Sequence, residues 1–213
     1  MRKYGIFVFF LSLLPVSVFL IGWTWLHPSR GDTRGILSET VDLDQPVGDF
    51  ALTDQDGRLV TTQDLRGKVC VFDFIFTRCG GTCPQLTANM ARLQKALAGK
   101  NDVRFVSVSV NPTFDTPEIL KKYAERFGAD KRWLFLTGAE EKIRTLCRTS
   151  FMSAMEKKPD AAPSDLVTHT SKVFVVDRNG IIRAMFDGRQ FEDDLTPIDQ
   201  VPQIQKKVEE LLR

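Results

Sequence analysis

Residues 69–84 read VCVFDFIFTRCGGTCP. The stretch from Val69 to Phe76 is short, mostly apolar and rich in Val and Phe, and it is bounded by Gly67-Lys68 and Arg78. Such a run reads as a central strand covered on both faces. A helix follows from Pro84 to Leu97, because Leu86, Met90, Leu93 and Leu97 recur at helical spacing and Gly99 stops the pattern. Pro84 suits the first helical position, where its missing N–H has no partner to lose. Cys79 and Cys83 therefore stand in a glycine-containing loop between a buried strand and a helix start.

On the N-terminal side, Phe50-Ala-Leu-Thr53, Asp56-Gly57 and Leu59-Val60 read as a hairpin, since Asp-Gly is a turn signal. On the other side, Val103 to Val110 reads as a second buried strand. Asp115 or Thr116 caps the next helix, with Pro117 in its first turn. Trp133 to Thr137 is expected as a strand and Glu140 to Arg148 as a short helix. Lys172 to Asp177 and Ile181 to Phe186 pair across Arg178-Asn179-Gly180, and Val201 to Leu212 closes the chain as an amphipathic helix. The expected class is α/β, a thioredoxin-like fold with an N-terminal β-hairpin extension, preceded by one transmembrane helix. Fold alone does not give function.

The transmembrane expectation comes from Tyr4 to Leu26, which carries no charge and follows Arg2-Lys3. As a helix this stretch is about 35 Å long, enough for a hydrocarbon core of roughly 30 Å. Tyr4 at one end and Trp23 and Trp25 at the other are placed as interfacial aromatics. No small-residue cleavage site follows, which favours a retained anchor over a signal peptide. The organisation expected is an anchor over 1–30, a linker over 31–46 and one domain over 47–213. The basic N-terminus favours an inside orientation, placing the domain outside the cytoplasm, where thiols can oxidise. No transit-peptide pattern precedes the anchor, so the expected location is the bacterial cytoplasmic membrane, with the domain on the periplasmic side.

The 213 residues, 43% hydrophobic and 26% charged, suit one globular domain and exclude disorder and a polytopic membrane protein. The net charge is +2, but Arg2, Lys3 and Arg30 lie in residues 1–30 without an acid. The remainder, with 26 basic and 27 acidic residues, has a charge of −1 and no basic footprint for nucleic acid. Four cysteines are too few for a disulfide scaffold, which leaves a metal site, a redox site or packing. No phosphate-binding glycine loop and no hydrolase triad is visible.

At a helix start both Cys79 and Cys83 lie near unsatisfied N–H groups and the positive end of the helix dipole. That position favours a thiolate, with a pKa below the free value of about 8.5. Three residues separate the cysteines, leaving room for a metal without forbidding a disulfide. A third ligand is suggested by scarcity: beyond His27 at the membrane boundary the chain has one histidine, His169, just before the strand starting at Lys172. Two thiolates and an imidazole suit Cu(I), and Cu(II) is also compatible, whereas Zn(II) normally wants a fourth ligand. Asp73 is an acid inside the apolar strand, six residues before Cys79. It is either a hydrogen-bonded structural carboxylate or a proton acceptor for the thiols, since a buried carboxylate is costly unless paired. Cys70 and Cys147 read as small core residues, and Met152 and Met155 as packing or soft copper ligands.

Taken together, Asp-Gln-Asp-Gly at 54–57, Gly67-Lys68, Phe-Thr-x-Cys-x-x-x-Cys-Pro at 76–84, Ser-Val-Asn-Pro-x-x-Asp-Thr-Pro at 109–117 and His169-Thr170 resemble the Sco/SenC family of copper chaperones. The resemblance runs from about Pro46 to the C-terminus. It implies an anchored thioredoxin-like protein that helps deliver copper to the binuclear copper site of cytochrome c oxidase. By the family pattern Cys79, Cys83 and His169 are the copper ligands. The chain departs from that pattern at Gly80, usually Pro, and at Asn111 and Thr168, both usually Asp; the last removes an acid beside the histidine. Asp73 resembles the buried acid of thioredoxins, which points to the alternative of an extracytoplasmic thiol–disulfide oxidoreductase using Cys79 and Cys83. The partner implied by the first reading is the copper-site subunit of the oxidase, or another copper or thiol protein.

Overall fold

The computed structural model describes residues 43–151, 156–157, 167–168, 171–188 and 199–213. In chain order these form β1 (Gln45–Pro46), β2 (Ala51–Thr53), β3 (Leu59–Thr61), β4 (Val69–Ile75), α1 (Thr82–Ala96), β5 (Val103–Ser109) and α2 (Pro117–Arg126). There follow β6 (Trp133–Leu136), α3 (Glu140–Ser150), β7 (Glu156–Lys157), β8 (Val167–Thr168), β9 (Lys172–Val176), β10 (Ile181–Asp187) and α4 (Val201–Leu212). Residues 1–42, which hold the expected anchor and most of the linker, lie outside the described residues, as do His169, Met152 and Met155. Among the described residues no helix is long and apolar enough to cross a membrane.

All seven residues of β4 are buried, as its near-continuous apolar run requires of a central strand. It pairs in parallel with β5, Val69 opposite Val103 through Ile75 opposite Ser109, and antiparallel with β9, Cys70 opposite Val176 and Phe72 opposite Phe174. The sheet order is β1-β10-β9-β4-β5-β6, with β2–β3 and β7–β8 as separate two-stranded pairs. A β-α-β unit beside an antiparallel hairpin, closed by a helix, is the thioredoxin-like arrangement, and β2–β3 is the expected hairpin extension. At the end of the expected linker, Gln45 and Pro46 pair with Ile182 and Ile181 at the sheet edge, where a proline's missing donor costs no ladder bond.

Alternation along β4 separates two kinds of packing. Phe72 and Phe74 meet Phe151 at centroid distances of 5.2 and 5.0 Å, and Phe174 closes the cluster at 5.0 Å from Phe151. Val71, Asp73 and Ile75 face the opposite side, where α1 and α4 pack together on the sheet. Asp73 is level with Ser107 of β5, whose hydroxyl accepts a 2.9 Å hydrogen bond from the Trp133 indole. The same face is sealed by Arg132, which donates to the carbonyls of Gln94 and Leu97 at the end of α1.

The β9–β10 turn is as the Asn-Gly signal predicts, with Gly180 at a φ of +73° that favours glycine. Asp177 builds it, accepting from the backbone N–H groups of Asn179 (2.8 Å) and Ile181 (2.9 Å) and from the Arg183 guanidinium (2.7 Å). Burial opposes ionisation of Asp177, but these donors outweigh it and hold the carboxyl below its ordinary 3.8. A lowered folded-state pKa stabilises above the unfolded value and the gain is lost as pH falls through the folded one. Urea midpoints of wild type and Asp177→Asn are therefore expected to differ most at pH 5–7 and to converge below pH 3.8.

Candidate metal and thiol site

The β4–α1 junction puts the cysteines at the carboxyl end of the central strands, the usual position for sites in open α/β sheets. The helix begins at Thr82, two residues before the expected Pro84, with Gly81 as its N-cap residue. Pro84 is thus the third helical residue and still costs no hydrogen bond, because the first four helical N–H groups lack partners. Cys83 consequently lies inside the first turn rather than at the cap, and its side chain is fully buried against the core. Cys79 is only half-buried, in the loop above, with its N–H donating to the Phe76 carbonyl at 3.2 Å. All four cysteines are thiols without a disulfide between them.

The expected lowering of the thiol pKa does not hold at Cys83, which is pushed up instead. A thiol–thiol hydrogen bond with Cys79 keeps its proton in place, burial adds to this, and the charges of Cys79 and Asp73 act in the same direction. The backbone of Phe76 works the other way and is outweighed. The helix-start rule describes an exposed sulfur; here the buried one follows its hydrogen bond with Cys79 and, after it, desolvation. The two sulfurs are brought together, Cys83 within the core and Cys79 partly buried against it.

Asp73 is fully buried on the α1 face of the sheet, and its charge is felt at both Cys83 and Tyr123. A short polar chain lies close by: the Thr87 hydroxyl donates to the Cys83 carbonyl at 2.9 Å and lies 3.0 Å from the Tyr123 hydroxyl. Burial, with the Cys83, Asp73 and Cys79 charges, pushes the Tyr123 phenol above its ordinary range, and the Thr87 contact only partly offsets them.

Cys70 and Cys147 are buried thiols that burial pushes up to about 12 each, as expected of inert core residues. His169 lies outside the described residues. Among the described residues no group of three or more His, Cys, Asp or Glu comes together as a metal centre.

Of the two residues offered as the cap of α2, Thr116 takes that role, accepting from the Ile119 N–H, and Asp115 serves the site instead. Asp115 is fully buried and accepts from the Thr77 backbone N–H (3.2 Å), the Thr77 hydroxyl (2.5 Å) and the Ser109 hydroxyl (2.5 Å). It ties the root of the cysteine loop to the end of β5. The signal in the sequence was the pair of hydroxyl residues, Thr77 and Ser109, at the ends of two buried strands.

A thioredoxin-like domain with two contacting thiols at its first helix start defines the class of protein. The SCO1/SenC family profile matches residues 39–202, and the chain belongs to that family. It is 38% identical over 162 residues to the SCO1 protein homolog of Bacillus subtilis (strain 168), covering 75% of this chain and 80% of that one. The crystal structure of a SCO1/SenC family lipoprotein from Bacillus anthracis str. Ames is 35% identical, with a TM-score of 0.71 over 83% of this chain and 99% of that one. BsSco, described as a Sco-family cytochrome c oxidase assembly protein with a disulfide switch, is 34% identical, with a TM-score of 0.68 over 81% and 96%. Copper-bound ScoI of Bradyrhizobium japonicum, at 24% identity, shares the fold, with a TM-score of 0.65 over 78% and 99%.

Proposed function

We propose that this chain carries copper as cargo, held by the sulfurs of Cys79 and Cys83 and the imidazole of His169. It passes the ion by ligand exchange to soft donors in the copper-site subunit of cytochrome c oxidase. The observation that carries this reading is the pair of contacting sulfurs at the β4–α1 junction, one buried and one half-exposed. Cu(I) prefers soft sulfur, and Cu(II) also accepts thiolate and imidazole. The strand order supports the third ligand. β9 runs antiparallel to β4, so the chain entering Lys172 arrives at the sheet end from which the cysteine loop departs. His169 is three residues upstream of Lys172, a span of about 10 Å when extended. Copper-bound Bradyrhizobium ScoI and the assembly role given for BsSco are in keeping with this function.

In this reading residues 1–30 anchor the chain in the bacterial cytoplasmic membrane. Residues beyond them tether the domain, 47–213, on the periplasmic side; the family lipoprotein of Bacillus anthracis fits a membrane-attached protein.

A second reading, an extracytoplasmic thiol–disulfide oxidoreductase, is favoured by Asp73 beneath Cys83 and by the disulfide switch of BsSco. Cys79 as thiolate attacks a substrate disulfide, forming a mixed disulfide and releasing one substrate thiol. Cys83 gives its proton to Asp73 and attacks Cys79, forming the Cys79–Cys83 bond and releasing the second thiol. Two electrons pass to the substrate, and an external dithiol restores the pair.

Cu(I) titration of the reduced full-length protein against a competing chelator separates the readings. Wild type is expected to take one ion per chain. His169→Ala is expected to lose more than the roughly 10–100-fold that removing an outer-shell partner costs. Asp73→Asn is expected to leave copper affinity unchanged and to slow thiol–disulfide exchange by about a hundredfold. Unchanged copper affinity in His169→Ala, together with collapsed exchange in Asp73→Asn, replaces the first reading by the second.

A further inference from the structure

We infer that Asp115 is a positioning residue which, by clamping Thr77, sets the equilibrium between the open and the cross-linked cysteine pair. The inference rests on the role proposed above for Cys79 and Cys83. Thr77 is two residues upstream of Cys79, and both its donors, backbone N–H and hydroxyl, end on the Asp115 carboxylate. The Ser109 hydroxyl donates to the same carboxylate, so a single buried group bridges the loop root and the end of β5. Asp115 is itself fixed, because its N–H donates to the Asn111 carbonyl at 3.0 Å and Thr116 starts α2. Beyond Thr77 the loop has Gly80 and Gly81, which impose little restraint of their own.

The consequence is entropic. With the clamp intact, the root of the loop is ordered before the sulfurs join, whether by a disulfide or across a metal ion. Without it, the dithiol loop gains freedom that the cross-linked loop cannot share, so cross-linking becomes less favourable. A hydrogen bond to a carboxylate is worth roughly one to two powers of ten in an equilibrium constant. We set the expected share of this one at about tenfold, equivalent to about 30 mV in a two-electron couple.

The test uses the full-length protein equilibrated with oxidised and reduced dithiothreitol. Two protein S–H bonds and the cyclic reagent's S–S bond break; one protein S–S bond and two reagent thiols form. The oxidised fraction of the Cys79–Cys83 pair is read by alkylation and mass, and hydrogen exchange is followed across residues 77–81. Thr77→Val keeps the shape and removes the hydroxyl; Asp115→Asn removes the charge, and Thr77→Ser restores the donor. Thr77→Val and Asp115→Asn are expected to exchange faster across the loop and to lower the oxidation constant about tenfold, with Thr77→Ser returning it to wild type. Folded Thr77→Val with a wild-type oxidation constant overturns the inference, even where exchange is faster, because the clamp is then only structural. A wild type that never oxidises overturns it too. Absence of copper binding in wild type, with the variants still shifting the oxidation constant, removes the copper-carrier reading and leaves the clamp standing.

Discussion

Cys79→Ser is expected to abolish the intramolecular disulfide and to lower Cu(I) affinity by well over a hundredfold, while leaving stability within about 0.5 kcal/mol of wild type. Serine offers copper a hard oxygen in place of a soft sulfur, and no partner remains for Cys83. The stability figure follows from position: Cys79 is half-buried in a loop, whereas Cys83 is fully buried under the first turn of α1. Cys83→Ser is expected to lose the same chemistry and also about 1–3 kcal/mol, because a hydroxyl replaces a weakly polar thiol in a sealed position. Chelator competition and urea unfolding on the two variants check both statements. Retained tight copper binding in Cys79→Ser excludes this sulfur as a ligand.

Phe74→Ala is expected to cost about 3–5 kcal/mol, most of the margin of a domain at the lower end of ordinary stability. Phe74 is fully buried and contacts Phe151 edge-on at 5.0 Å and Phe174 at 6.2 Å. Truncation leaves a void that three packed strands and the end of α3 cannot close without moving the sheet. Phe74→Leu, which keeps most of the volume, is expected to recover more than half of the loss. Urea midpoints followed by tryptophan emission give the values, with fully buried Trp133 as the internal reporter. A loss under about 1 kcal/mol contradicts the packing described.

Much of the sheet was legible because β4, β5 and β10 carry strong local patterns. The β9–β10 turn and the bounds of α4 were read from Asn-Gly and from helical periodicity alone. What local patterns could not convey was burial and distance in space. The rule for helix starts placed Cys83 near the cap with a lowered thiol pKa; the hydrogen bond with Cys79 and burial in the core reverse that direction. Asp115 stood in a sequence, Asp-Thr-Pro, that matches a capping signal at both its first and second residues. Only the parallel pairing of β4 with β5 brings Thr77, 38 residues away, against it. Asp73 was recognisable by contrast with its apolar neighbours, since an acid in such a strand needs a reason.

β4 itself carries a further implication. Phe72 and Phe74 join the aromatic cluster on one face, and Asp73, on the other, is the carboxylate beside the Cys83 thiol. Substitutions at the other six positions of this strand, all in the core, are therefore folding defects, and Asp73 is the one that offers a chemical one. A lineage is free to retune that single carboxylate while keeping the strand that holds it, which leaves room for paralogues that share one scaffold and diverge in chemistry.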